Sequence, residues 1–225
     1  MRDIDYTPLV FDVETAPLPN AAEYLEPVQP ARNLKDPEKI AEDIRQRTLE
    51  QAARCSLDWN VGRIVAIGYW PGASGDVVAL ECPEERNEVV ALELFWEVAK
   101  HRPLVGFNIR AFDLPFLIQR SRYLGVTHRD LDLGRYAKSP IVDLYELLTF
   151  GQGKYDQGAM KRTLKAFAKR FGLSVNDTTD GADIPALVEK GDWDAIAAHC
   201  ESDVRLTRDL AARLGVLSVG EAMHA

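Results

Sequence analysis

Cysteine is scarce in this 225-residue sequence: Cys55, Cys82 and Cys200 form an odd, widely spaced set. That excludes a disulfide framework and a zinc spacing, and points to reduced thiols. No apolar run approaches the ~18 residues of a membrane helix, and the opening Met1-Arg2-Asp3-Ile4-Asp5 has no apolar signal core. The expectation is a cytoplasmic protein with no membrane partner. A basic excess is missing as well, since 27 Lys and Arg against 35 Asp and Glu leave a net charge of -8. This argues against non-specific nucleic-acid binding through bulk charge. It does not exclude a phosphate-bearing ligand, because acids clustered around metal ions add negative charge that the ions neutralise. With 46% hydrophobic residues and no disordered or fibrous bias, the chain can bury a sizeable core. One domain over 1–225 is expected, with a helical insertion at about 18–60.

What is present begins with Pro8-Leu9-Val10-Phe11-Asp12-Val13-Glu14-Thr15. It reads as a buried strand with two acids where a central strand should have none. Side chains alternate along a strand, so Asp12 and Glu14 share one face, roughly 7 Å apart. Two carboxylates at the end of such a strand can grip hard divalent cations such as Mg²⁺, which take oxygen ligands. A solvated edge strand with one polar face is the alternative on this stretch alone.

After Thr15, Pro17, Pro19, Pro27 and Pro30 oppose regular structure, and the charged run from Lys35 to about Ala53 reads as one or two surface helices starting near Asp36-Pro37. This excursion reads as solvated from its charges, with a lid or a wall of the site as the alternatives. Arg63–Trp70 and Asp76–Cys82 are strand-like runs joined by a turn at 71–75. Between Glu84 and Lys100, Val90, Leu94 and Val98 have the spacing of a helix with one buried stripe. That helix returns the chain to Leu104-Val105-Gly106-Phe107, by right-handed crossover a parallel neighbour of the first strand.

Asp113 follows, near the start of a helix that Gly125 would close, at the carboxyl end of a strand where open α/β sheets place ligands. A plain N-cap is its alternative. Arg120, Arg122, Arg129, Arg135 and Lys138 lie in the next stretch, and Asp143 ends the short strand Ile141-Val142-Asp143 as a candidate support for the other acids. A helix from about Gly158 to Phe171, closed by Gly172, has Met160, Leu164, Phe167 and Phe171 on one side. Lys161, Arg162, Lys165, Lys169 and Arg170 on the other make it a candidate clamp on a phosphate backbone, with a solvated face as the alternative.

The last helix, from about Trp193 to Leu214, follows Gly191-Asp192. At ~100° per residue, Trp193, Ile196, Cys200, Val204 and Leu210 form its apolar arc. His199 and Asp203 fall inside that arc, four residues apart, so they project side by side from consecutive turns. A buried charge needs a partner or a metal. Four converging acids, Asp12, Glu14, Asp113 and Asp203, would repel one another unless cations are bound. Two ions about 3.5–4 Å apart stabilise the attacking and leaving oxygens of an in-line phosphoryl displacement. His199 is suited to take a proton from the attacking water, with a nucleophile activated by the cations alone as the alternative.

This set resembles the DEDD superfamily of 3′-5′ exonucleases, and is most similar to the predicted exonucleases related to the proofreading domain of family-B DNA polymerases. Phe11-Asp12-Val13-Glu14-Thr15 looks like the first exonuclease motif, Phe107-Asn108 through Phe112-Asp113-Leu114-Pro115 like the second, and His199-Cys200-Glu201-Ser202-Asp203-Val204 like the third. Lys35-Asp36-Pro37-Glu38-Lys39-Ile40, Leu57-Asp58 and Gly62-Arg63-Ile64 also resemble this subgroup. The resemblance runs from about residue 8 to 212. It implies an α/β, ribonuclease H-like mixed β-sheet with helices on both faces. It further implies Asp12, Glu14, Asp113 and Asp203 as metal ligands, two Mg²⁺ or Mn²⁺ ions as cofactor, and stepwise release of nucleoside monophosphates. The partner would be a nucleic acid with a free 3′ end, single-stranded or frayed DNA, with RNA as the alternative. The departure is at His199: the superfamily has tyrosine four residues before the last aspartate or histidine five before it, and this chain has histidine at the tyrosine spacing. Thr15, Asn108, Phe112 and Lys165 are candidate substrate contacts. A non-cutting nucleic-acid-binding module and a hydrolase of short oligonucleotides are the competing functions; the intact acid set argues against the first.

Overall fold

The computed structural model describes residues 7–72, 75–134, 140–151 and 162–217. Arg135, Lys138, Met160, Lys161 and the first turn expected from Gly158 lie outside the described residues. The sheet has five strands in the order β3-β2-β1-β4-β5. These are β1 (Leu9–Pro17), β2 (Gly62–Trp70), β3 (Val78–Glu81), β4 (Leu104–Gly106) and β5 (Ile141–Asp143). β1 is central, antiparallel to β2 and parallel to β4, so the edge-strand alternative for its acids does not hold.

The alternation along β1 divides the core. Leu9, Phe11 and Val13 pack with α2 (Glu85–Ala99) and α3 (Asp113–Leu124) on one face of the sheet. Val10 packs on the other with α5 (Leu164–Arg170) and α7 (Trp193–Arg213), and Ala16 with α6 (Ile184–Lys190) and α7. Asp12 and Glu14 share the parity of Val10 and Ala16, and so face α7. The sheet thus carries helices on both faces, as the sequence leads one to expect. Among the described residues, no helix is long and apolar enough to cross a membrane.

The charged run after β1 folds as one α-helix, α1 (Pro37–Arg54), with Asp36 accepting the Glu38 backbone N–H as N-cap. It buries none of its residues, and the charges belong to a solvated helix. The wall of the site comes from the turn just after it, where Ser56 and Leu57 line the cleft. Gly125 and Gly191 close α3 and α6 in the left-handed conformation that glycine adopts without strain.

Two expectations are corrected. The buried face of α2 is Glu88, Ala91, Leu92, Phe95, Trp96 and Ala99, whereas Val90 and Leu94 are exposed. Glu88 disguised that face: it is a fully buried acid paired with Arg120 of α3 at 2.7 Å, and it also accepts the Ile64 N–H. Within the described residues the basic helix starts at Leu164, because Thr163 is extended and its hydroxyl accepts the Ala166 N–H. A side-chain cap of that kind sets a helix start.

Candidate active site

The functional side chains converge because β4 is short. It pairs with β1 only at Leu9 and Val10, which leaves the β4-side edge of β1 open from Phe11 onward. Asp113, the first residue of α3, fills that opening, and its Oδ1 accepts the Val13 N–H at 3.1 Å. The plain N-cap alternative fails, since Asp113 is the first helical residue and lies 3% exposed. Beside this point the β1–β2 register shifts between Glu14 and Thr15, a bulge of the kind that re-aims side chains near active sites.

α7 supplies the opposite wall. It can approach the sheet closely because Gly68 faces it: a Cβ there would sit 2.7 Å from Cys200 Sγ. This seating puts His199 and Asp203 over Asp12 and Glu14, and all four line one cleft with Asp113. The cleft has a volume of about 990 Å³. His199 Nε2 lies 3.5 Å from Glu14 Oε1.

Asp143 does not line up with these acids as a ligand. Buried at the end of β5, it accepts the backbone N–H groups of Asn108, Arg110 and Tyr145, tying down the loop before Asp113. Asn108 in that loop has φ 63°, a left-handed conformation that asparagine tolerates.

The electrostatics follow from crowding. Loss of solvation raises Asp12 well above the ordinary carboxylate range, and the charges of Asp113, Glu14 and Asp203 raise it further. Desolvation, then Asp203 and Asp113, does the same to Glu14. Burial pushes Asp113 up to about 7, and desolvation also raises Asp203. Asp203 Oδ1 is buried with no hydrogen-bond partner among the described residues. An orphaned acceptor among mutually repelling oxygens fits hard divalent cations, whose preferred ligands are carboxylates. Cys200 is close to Asp12 and Glu14, but burial and then those carboxylates push its thiol well up, and a protonated thiol is not a ligand.

Sequence reasoning missed Asp177. Its Oδ2 lies 2.6 Å from His199 Nδ1 and 3.1 Å from Lys165 Nζ, and Lys165 also donates to the Thr179 carbonyl. Burial alone would raise Asp177, but the Thr179 N–H, His199 and Lys165 outweigh it and hold its pKa at about 2. An ionised Asp177 assigns the proton of His199 to Nδ1 and leaves Nε2 toward Glu14. Nothing in the sequence flagged it, because it sits in an irregular segment 22 residues before its partner.

The candidate substrate contacts separate. Thr15, Asn108 and Phe112 line the cleft, with the Thr15 hydroxyl donating to the Ser56 carbonyl at 2.6 Å. Lys165 does not line it; its ammonium is turned to Asp177, and the side chain is 16% exposed. Arg110 was passed over in the sequence, yet it lines the cleft, is held by Glu146 at 3.3 Å, and keeps Nη1 buried without a partner among the described residues.

The architecture is similar to the family B DNA polymerase from the hyperthermophilic archaeon Pyrobaculum calidifontis, with a TM-score of 0.61 and 20% sequence identity. The match covers 94% of this chain and 25% of that polymerase, so this chain spans about a quarter of its length. No curated protein matches the sequence. The ribonuclease H superfamily model matches residues 56–215, well over half of the sequence, and with the mixed five-stranded sheet it establishes that the chain belongs to the ribonuclease H superfamily.

Proposed function

We propose that this protein is a metal-dependent 3′-5′ exonuclease that hydrolyses phosphodiester bonds from the 3′ end of single-stranded or frayed DNA. The observation that carries the reading is the convergence of Asp12, Glu14, Asp113, His199 and Asp203 in one cleft. In this reading the catalytic unit is one domain over 1–225, with 18–60 as an insertion. A cytoplasmic setting belongs to it, supported by three free, buried cysteines.

Asp12, Glu14, Asp113 and Asp203 would hold two Mg²⁺ or Mn²⁺ ions. When bound, such ions stabilise charge on the attacking and leaving oxygens of the phosphoryl group. His199 accepts a proton from water at Nε2, its ring held by Asp177 through Nδ1. The water oxygen then bonds to phosphorus, the bond from phosphorus to the 3′ oxygen breaks, and that oxygen takes a proton from solvent while His199 returns its own to solvent. The products are a nucleoside 5′-monophosphate and a strand shorter by one nucleotide. Thr15, Asn108 and Phe112 hold the terminal nucleotide, and Arg110 Nη1 supplies a donor to a phosphate. Lys165 acts on the site through Asp177.

The test is a single-stranded DNA labelled at its 5′ end, incubated with Mg²⁺, Mn²⁺ or EDTA beside the Asp12→Ala variant. A ladder shortening from the 3′ end, absent in EDTA and in the variant, is the expected result. Intact strand in every lane, with RNA equally untouched, would instead favour a non-cutting binder.

A further inference from the structure

A second groove of about 880 Å³ lies beside the cleft, against α5 and α4 (Leu144–Leu148). Arg162, Phe167, Lys169, Arg170 and Phe171 line it. Two observations relate it to the cleft. Arg162 lines both. A three-ring ridge separates them: Phe107 and Tyr145, on the cleft side, pack against Phe167, on the groove side, at 6.0 and 6.5 Å between ring centroids.

The groove's charge is the reverse of the cleft's. Arg162, Lys169 and Arg170 are exposed, and none forms an ion pair among the described residues. Phe171 adds an apolar ring that is 37% exposed. In a protein of net charge -8, cations gathered beside an aromatic on one groove match what single-strand binders use: a positive track for the backbone and a ring for a base.

We propose that this groove is the track for the phosphate backbone on the 5′ side of the terminal nucleotide, so that the protein holds long strands more tightly than short ones. The proposal rests on the exonuclease reading, and it extends the site beyond the acids to a sequence-independent binding surface. Lys169 and Arg170 contact phosphates, Arg162 passes the strand from cleft to groove, and Phe171 stacks on a base.

The test is the Lys169→Gln/Arg170→Gln double variant. Glutamine removes charge while keeping the side-chain stem, and avoids placing acids at a helix C-terminus, where they are unfavourable. KM for hydrolysis in Mg²⁺ is measured for a dinucleotide and for a strand of about 12 nucleotides, within the span of about 4–16 that single-strand-binding folds cover. Binding of the fluorescent long strand is followed by anisotropy in Ca²⁺ over a range of salt. We expect the long-strand KM to rise about tenfold with the dinucleotide moving less than twofold. The log-log salt slope of binding should become shallower by about 1.4, two contacts at about 0.7 each. Equal shifts for both substrates, or an unchanged long-strand KM and salt slope, would overturn the track. If the wild type binds but cuts nothing, the exonuclease reading fails, and the salt slope of the variant still decides the groove. A wild type that neither binds nor cuts overturns both. Should the double variant melt early, Lys169→Gln alone carries the test, with a slope shallower by about 0.7.

Discussion

His199 stands between two carboxylates, with Nδ1 2.6 Å from Asp177 Oδ2 and Nε2 3.5 Å from Glu14 Oε1. One ring nitrogen is therefore anchored and the other faces the cleft. Removing the anchor frees the ring to rotate and to change tautomer. Asp177→Asn is expected to lower kcat by about 10- to 100-fold, the usual cost of losing the group that orients a site imidazole. KM for a dinucleotide should change little. Steady-state kinetics check this, and a kcat equal to the wild type's would remove Asp177 from the catalytic account.

Asp113 makes the protein's stability depend on pH when no metal is bound. Its folded pKa is about 7, against about 3.9 for an unfolded aspartate. Between those values the folded state holds a proton that the unfolded state has lost, so stability falls as pH rises from about 4 through 7. Asp113→Asn removes the penalty and keeps an oxygen for the Val13 N–H. In EDTA the variant should melt several degrees above the wild type at pH 8 and near it at pH 4. Thermal unfolding at the two pH values checks the sign; Mg²⁺ should raise the wild-type melting temperature and raise the variant's less.

Gly68 sets how closely α7 approaches the sheet. A Cβ there would meet Cys200 Sγ at 2.7 Å and Val204 Cγ2 at 2.9 Å, the residues that directly follow His199 and Asp203. Gly68→Ala should destabilise the fold by about 1–3 kcal/mol, as overpacking does. It should also reduce activity beyond what the unfolded fraction explains, because the displaced helix carries two site residues. Denaturant unfolding measured with kcat on the same preparation separates the two effects.

The Glu88–Arg120 pair ties α2 to α3 with side chains 0% and 4% exposed. Glu88→Ala leaves Arg120 buried without its counter-charge and the Ile64 N–H without its acceptor. A loss of about 3–5 kcal/mol is expected, larger than an ordinary surface change. Urea denaturation would check this, and a loss below 1 kcal/mol would contradict it.

These residues also mark what was legible in the sequence. Asp12 and Glu14 could be placed on one face because strand parity is local, and His199 and Asp203 could be placed together because helical spacing is local. The cleft that joins the two pairs depends on β4 ending at Gly106 and on Gly68 admitting α7, neither of which is a periodic signal. The face of α2 was misread because Glu88 looks solvated until Arg120 arrives from another helix. Asp177 and Arg110 lie in irregular segments, where spacing predicts nothing, and Lys165 belonged to a basic row although its partner turns it inward.

The central claim is a cut at the 3′ end made by this acid cluster. The most direct measurement follows one DNA strand with different labels on its 5′ and 3′ terminal nucleotides, under single turnover in Mg²⁺. The account predicts that the 3′ label leaves first as a nucleoside 5′-monophosphate while the 5′ label is still on a nearly full-length strand, and that Asp203→Asn abolishes release of the 3′ label. Internal fragments carrying the 3′ label, or release that survives in Asp203→Asn, would contradict it.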